Sequence, residues 1–256
     1  INFYGKVVDQ DGQPVSGASV EFGWTDKSKD GSSQSNTSSD REGKFNLENQ
    51  KGRVLMVTVS KPGYFTAKQQ NQVGFDYAGF WEKTYYQPDS RNPVFFHLRK
   101  EGVKEHLLTG NIDVNIPSGG APTSIAFSRD PADSWARVEV QAWTNTEKYP
   151  PRIFDWYAII TVPGGDIQPC NDEFPFIAPD GDYKPSIEFK MPATAEKWKR
   201  GIEQQYYIRY TNPLRYGRVH LEISGASQNV SGAYWINPTP GSRNLEFDPA
   251  KVVKLP

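Results

Sequence analysis

The segment Gly5–Val20, GKVVDQDGQPVSGASV, decides the fold of the first part of this chain. Apolar and polar residues alternate on both sides of its centre, which is the pattern of half-buried β-strands. Between them the run DQDG at 9–12 predicts a tight turn, because Gly12 tolerates a positive φ. The segment therefore predicts two strands, 3–8 and 15–24, joined by that turn.

Further patterns continue this arrangement along the chain. The run DREGKFNLE at 40–48 predicts a turn followed by a strand, and apolar residues at alternate positions predict another strand at 53–60. The proline in KPGY at 61–64 ends that strand, because proline lacks the N–H that a sheet ladder needs. Residues 25–39 are almost wholly polar and are predicted to form a solvated loop.

Together these motifs resemble the carboxypeptidase regulatory-like domain, a transthyretin-like (prealbumin-like) β-sandwich. The resemblance covers residues 1–100, and its closing strand corresponds to 92–100. It implies a scaffold, spacer or binding surface and only rarely catalysis, since the zinc-peptidase residues behind the family's name belong to a separate domain. The chain departs from the family pattern at 66–92, where an aromatic-rich insertion replaces a short crossover, and loops of this length are uncommon.

A second region, 109–256, follows a charged connector at 101–108. Its many short strand patterns, separated by glycine and proline turns, predict a larger antiparallel β-sandwich or jelly roll, with one helix at 193–203. This region resembles a known family no further than a bacterial β domain of unknown function, which implies no activity. We therefore expect an all-β protein of two β-sandwich domains, 1–100 and 109–256.

Composition argues against several classes of function. The 256 residues include 29 basic and 30 acidic side chains, with a net charge of −1 and no basic run, so nucleic-acid binding is not expected. Membrane insertion is not expected either, because no apolar run approaches the roughly 20 residues that cross a bilayer. Residues 1–20 lack the basic head and apolar segment of a signal peptide, so we interpret the chain as mature or trimmed at its start. We expect a bacterial protein in an extracellular or periplasmic setting.

Signals of catalysis are weak. Cys170 is the only cysteine, and its acidic neighbours would raise a thiol pKa rather than activate the thiol. His97, His106 and His220 are isolated in the sequence, and no zinc-protease, serine-hydrolase or nucleotide-binding motif occurs. A carboxylate pair in the second region is an open hypothesis, although no motif selects the two residues.

Aromatic residues supply the first candidate binding site. Seven tryptophans and 13 tyrosines are many for this length, and flat rings beside polar side chains suit the faces of sugars. The insertion holds rings that strand alternation does not require: Tyr77, Phe80, Trp81, Tyr85 and Tyr86. They either stack on a polysaccharide or fold back and fill the seam between the domains. Trp143, Trp156 and Trp235 lie in strand patterns and are expected in the core.

Oxygen-bearing side chains supply the second candidate site. Six of them fall within 17 residues: Asp166, Asn171, Asp172, Glu173, Asp180 and Asp182. Calcium takes about six to eight oxygens from such loops, but the spacing does not match the EF-hand pattern. The cluster is interpreted either as a calcium site or as a solvated loop with Asx-turns, and no other cofactor is expected.

The sequence favours a non-catalytic extracellular or periplasmic module that binds a polysaccharide or another component of the cell envelope. A structural or protein-interaction scaffold without a small ligand is the first alternative. A carbohydrate-active enzyme that uses a carboxylate pair in the second region is the other. Binding requires exposed aromatic rings, whereas a scaffold buries them.

Overall fold

The computed structural model describes residues 1–26, 31–67, 72–78, 85–117, 119–145 and 152–247. The chain divides into two compact units, unit 1 at Ile1–Gly102 and unit 2 at Val103–Pro256. Apart from one turn of 3-10 helix at Pro131–Asp133, the regular structure of the described ranges is β-strand, which confirms the all-β prediction. Within these ranges, no helix is long and apolar enough to span a bilayer.

Unit 1 is a sandwich of two four-stranded sheets. Its strands are β1 Phe3–Val8, β2 Ser19–Thr25, β3 Ser32–Ser38, β4 Lys44–Leu47, β5 Val54–Ser60, β6 Tyr64–Thr66, β7 Val73–Asp76 and β8 Val94–Lys100. One sheet has the order β4-β1-β8-β6, in which only β1 and β8 run parallel. The other has the order β3-β2-β5-β7 and is antiparallel throughout.

An aromatic cluster fills the core of unit 1. Phe3 is fully buried, and its ring centroid lies 4.7 to 6.3 Å from those of five other rings, which belong to Phe22, Phe45, Phe75, Tyr86 and Phe96. Two of these rings come from the predicted insertion at 66–92, whose described part adds β7 to the second sheet. The insertion therefore contributes to the sandwich itself.

The two predicted turns are built by aspartate side chains. Asp9 Oδ1 accepts hydrogen bonds from the backbone N–H groups of Asp11 and Gln13, at 2.9 and 2.8 Å. Asp40 makes the same pair of bonds in the second turn. Gly43 follows with a φ of +76°, and a Cβ there would lie 2.3 Å from the Val7 carbonyl oxygen. That turn therefore requires glycine.

The predicted loop at 25–39 is wrong, because Ser32–Ser38 within it form strand β3. The strand escapes an alternation analysis because its seven residues, SSQSNTS, are all polar. It is an edge strand that pairs with β2, so backbone hydrogen bonds hold it without an apolar face. The polar composition correctly predicted that the segment contacts solvent. It did not mean that the segment lacks a strand.

Unit 2 also contains two sheets, both antiparallel. Its strands are β9 Leu108–Asn115, β10 Thr123–Ala126, β11 Arg137–Thr144, β12 Trp156–Thr161, β13 Gly165–Pro169, β14 Ser186–Met191, β15 Gly201–Thr211, β16 Leu214–Ser224 and β17 Asn229–Ile236. The sheet orders are β10-β11-β12-β14 and β13-β15-β16-β17-β9. Their inward side chains, such as Ile160, Tyr206 and Leu221, form one core.

The helix predicted at 193–203 is wrong, because β15 already begins at Gly201. Two tryptophan side chains hold the preceding residues in an irregular path. Trp198 donates from Nε1 to the Phe154 carbonyl at 2.9 Å, and Trp156 donates to the Lys199 carbonyl at 2.8 Å. These long-range bonds and the inward alternation of β15 outweigh the local helical pattern.

Candidate functional site

Three rings of the aromatic insertion, those of Phe75, Tyr77 and Tyr86, pack against the core of unit 1. Tyr86 lies 4.9 Å from Phe75 and 5.4 Å from Tyr77 between ring centroids, and Tyr77 donates its hydroxyl to the Asn2 carbonyl at 2.5 Å. Burial raises the pKa of both tyrosines. Tyr85 is 37% exposed, and Phe80 and Trp81 lie outside the described residues. The ligand-stacking role of the five rings stays a prediction.

The carboxylates proposed for calcium have protein partners in the structure. Asp166 forms an ion pair with Arg209 at 2.7 Å, and Asp180 forms one with Arg243. Asp172 accepts a hydrogen bond from the Tyr207 hydroxyl at 2.6 Å.

The remaining members of that set sit differently. Asn171 is 3.5 Å from the Gln204 amide, Asp182 occupies a turn with a φ of +66°, and Glu173 is engaged in a contact of its own. Two guanidinium groups already balance the charge of two carboxylates, which lowers the attraction of these loops for a cation. The calcium site stays a prediction.

One half of the outer face of the five-stranded sheet of unit 2 is covered by other residues of the unit. Arg218 is 8% exposed and lies over the rings of Trp235 and Phe176, at 4.3 and 5.6 Å from their centroids. Burial lowers the pKa of this guanidinium to about 10.

Cys170, at 5% exposure, lies beside Tyr207, and burial raises the pKa of its thiol. A raised pKa disfavours the reactive thiolate, and the interpretation that Cys170 is not a nucleophile stays a prediction.

The other half of that outer face carries a cluster that the sequence reasoning missed. Glu203 on β15 stands directly opposite Glu222 on β16, and His220 lies two residues earlier on β16. The His220 Nε2 is 3.5 Å from Glu203 Oε1 and 3.4 Å from Glu222 Oε1. Glu203 is distant in the sequence from His220 and Glu222. The register of the β15–β16 hairpin and the alternation of side chains along each strand place all three on one face of the sheet. That register was the signal that could have found them.

A second unexpected feature is a stacked aromatic pair on the four-stranded sheet of unit 2. Trp143 and Tyr157 face each other across β11 and β12 with ring centroids 5.6 Å apart and planes 17° from parallel. Both lie on the outer face, since the alternate residues Ala142 and Ala158 belong to the core. The expectation that Trp143 is a core residue is therefore wrong. Trp156 is in the core as expected, and Trp235 lies on the outer face under Arg218.

These observations define the class of the protein as an all-β chain with two sandwich-like units. Residues 2–76 match the family model described as the carboxypeptidase regulatory-like domain, which confirms the resemblance inferred from the motifs. No curated protein matches the chain.

Two solved structures are similar to this chain at a low level. A streptococcal ancillary pilin is 12% identical with a TM-score of 0.28, and the match covers 81% of this chain and 52% of the pilin. The full-length major pilin SpaD from Corynebacterium diphtheriae is 6% identical with a TM-score of 0.29, and the match covers 91% of this chain and 63% of that pilin. The chain thus spans about half of the first pilin's length.

Proposed function

We propose that this chain is a non-catalytic structural and protein-interaction module, in the extracellular or periplasmic setting that its sequence favours. The observation that carries the proposal is strand β3, which forms one edge of the second sheet of unit 1. Its seven residues contain no charge and no proline. Natural edge strands are usually blunted by lysine, proline, a bulge or a short length, because an open edge is a template for another strand.

The backbone of β3 is oriented to accept a further strand. The Asp26 N–H donates to the Gly31 carbonyl at one end, and the Ser39 N–H donates to the Ala18 carbonyl at the other. Backbone groups in an antiparallel pair face the partner at every second residue. The even-numbered residues between 32 and 38 therefore direct their N–H and C=O groups to the edge on which the described part of the chain places no further strand.

The partner that fits this edge best is a second copy of the chain. An antiparallel pair of two β3 strands brings no like charges together, and serine, asparagine and glutamine side chains offer donors and acceptors to each other. Such a pair is isologous and closed, as most homodimers are. It would join two four-stranded sheets into one continuous sheet of eight strands.

Sedimentation analysis over a wide range of protein concentration tests this proposal. We expect Asn36→Pro to weaken self-association at least tenfold, since it removes an outward N–H and the ladder bond made there (about 1.4 kcal/mol per tenfold). The matched control is Asn36→Ala, which keeps the N–H and should associate like the original chain. Circular dichroism checks that both variants fold. A chain that stays monomeric at all concentrations, or an Asn36→Pro variant that associates normally, would contradict the proposal.

Polysaccharide binding is the second candidate function, and the stacked pair Trp143–Tyr157 favours it. Flat aromatic surfaces beside polar side chains are suited to sugar rings, and Gln141 and Lys190 point from the same outer face. A panel of soluble and insoluble glycans is first tested for binding to the original chain. We expect Trp143→Ala to abolish binding to the polysaccharide that the original chain binds. Trp143→Tyr, which keeps a flat ring, should retain most of the binding. A flat response of the original chain across the panel would rule this candidate out.

The geometry lends less support to the enzyme alternative. Glycoside hydrolysis places two carboxylates on opposite sides of the scissile bond, with one of them shielded enough to stay protonated. Glu203 and Glu222 instead lie side by side on an open sheet face, with side chains 65% and 55% exposed. Glu203 and Glu222 therefore have no catalytic role in the proposed module.

A further inference from the structure

Two glutamates face each other at one register position of the β15–β16 hairpin, an arrangement that normally costs stability. Glu203 and Glu222 are directly opposed, and like charges opposite each other on one sheet face repel. His220 lies on the same face two residues before Glu222 on β16, and its Nε2 is 3.5 and 3.4 Å from carboxylate oxygens of Glu203 and Glu222. The local arrangement therefore collects two negative charges around one nitrogen ligand, which is a favourable setting for a cation.

Two of the three spacings among the ligand atoms match a small tetrahedral ion. One ligand atom from each of the three residues can be chosen so that all lie within 4.8 Å of one another. Zinc binds histidine nitrogen and carboxylate oxygen at about 2.0–2.2 Å, so the edge of its coordination tetrahedron is about 3.3–3.5 Å. The two distances from His220 Nε2 to the carboxylate oxygens are 3.5 and 3.4 Å, which match that edge.

The surroundings hold the His220 imidazole in place and leave the two glutamate side chains accessible to solvent. His220 is only 16% exposed and sits in the interior of the sheet between β15 and β17, whereas the glutamate side chains reach solvent and can adjust. A surface cleft of ≈ 340 Å³ adjoins the cluster and is lined by Glu203, Glu222, Ser231 and Asn229 among others. Both glutamate side chains are therefore reached from solvent through this cleft.

We infer that Glu203, His220 and Glu222 bind a divalent transition-metal ion, with zinc as the best-fitting one. An imidazole with two carboxylates suits zinc and its neighbours in the first transition row, whereas calcium prefers oxygen ligands alone. The ion would cancel the repulsion between the two glutamates and connect β15 to β16. This site is separate from the loop residues at 166–182 and from edge strand β3.

Isothermal titration of the metal-free, tag-free chain with Zn²⁺ tests the site. We expect one saturable Zn²⁺ per chain and a rise in the melting temperature of the chain when Zn²⁺ is added. His220→Ala should lower the affinity more than about 100-fold, because loss of an outer-shell partner alone costs roughly 10- to 100-fold. Ca²⁺ should not compete at equal concentration. Replacing Zn²⁺ with Co²⁺ should give the intense visible absorption of a tetrahedral ion.

Two further variants separate the cluster from other surface groups. Glu203→Gln changes a solvent-exposed ligand, so it should fold normally and still weaken zinc binding at least tenfold. The matched control is His106→Ala, an exposed histidine away from the cluster, which should bind zinc like the original chain. The inference is overturned if the chain shows no saturable zinc binding, or if His220→Ala and Glu203→Gln bind as tightly as His106→Ala.

Discussion

Replacing Phe3 with alanine is expected to lower the free energy of unfolding of unit 1 by about 3–5 kcal/mol. The Phe3 ring is fully buried and contacts rings from both sheets, including Phe22 of β2 and Phe96 of β8. It also contacts Phe75 and Tyr86 from the insertion. Its removal leaves a cavity among rigid rings that cannot collapse to fill it.

Hydrogen exchange followed by mass spectrometry measures this effect in unit 1 alone, which matters because a chain of two units need not unfold in one step. Phe95→Ala is the matched control. Phe95 is a neighbour of Phe96 on β8, but its side chain points outward and is 46% exposed, so its loss should cost within about 1 kcal/mol. Equal loss of protection in the two variants would contradict the assignment of Phe3 as the centre of the core.

Gly232→Ala is expected to destabilise unit 2 by about 3 kcal/mol or more. Gly232 has a φ of +148°, a conformation that costs a residue with a side chain about 1–3 kcal/mol. In addition, a Cβ would lie 1.9 Å from the His220 carbonyl oxygen, which belongs to the neighbouring strand and cannot move without breaking the ladder. Strand β17 would have to separate from β16, the central strand of the sheet.

A matched glycine isolates the steric part of that effect. Gly241 also has a positive φ, +78°, but a Cβ there would meet nothing within 4 Å. Gly241→Ala should therefore cost about 1 kcal/mol from backbone strain alone. Hydrogen exchange in unit 2 compares the two variants. Gly232→Ala should also weaken zinc binding, because it disturbs the pairing of β17 with β16, the strand that carries His220. Equal stability of the two variants would refute the argument from close approach.

Local chemistry was enough to predict much of unit 1. The turn at 9–12 depends on an aspartate and a glycine that act within a few residues, and both were found as predicted. The alternating strands β1 and β5 were equally clear, because a strand with one buried face must place apolar residues at every second position. Where these local signals were absent, as in the all-polar β3, the prediction was wrong.

The functional residues were harder to predict, because they depend on pairings between strands. Nothing in the sequence around His220 marks it as a ligand; the cluster exists because the hairpin register sets Glu203 opposite Glu222. Trp143 has an apolar side chain in a strand. Only the structure shows which alternate residues of β11 face the core, and Trp143 is on the opposite, outer face beside Tyr157. The same limitation applied to the acidic loops, where the arginines that pair with them come from distant positions.

The sequence by itself determined the all-β class, the regulatory-like domain near the start of the chain and the aspartate turns, since each rests on interactions between residues close in the chain or on a period of two. The tertiary structure alone decided which sheet face each strand presents, which edge stays open and which charges meet. The physical reason is that strand pairing joins residues by register across long separations. Their distances follow from hydrogen-bonded ladders that no local pattern encodes.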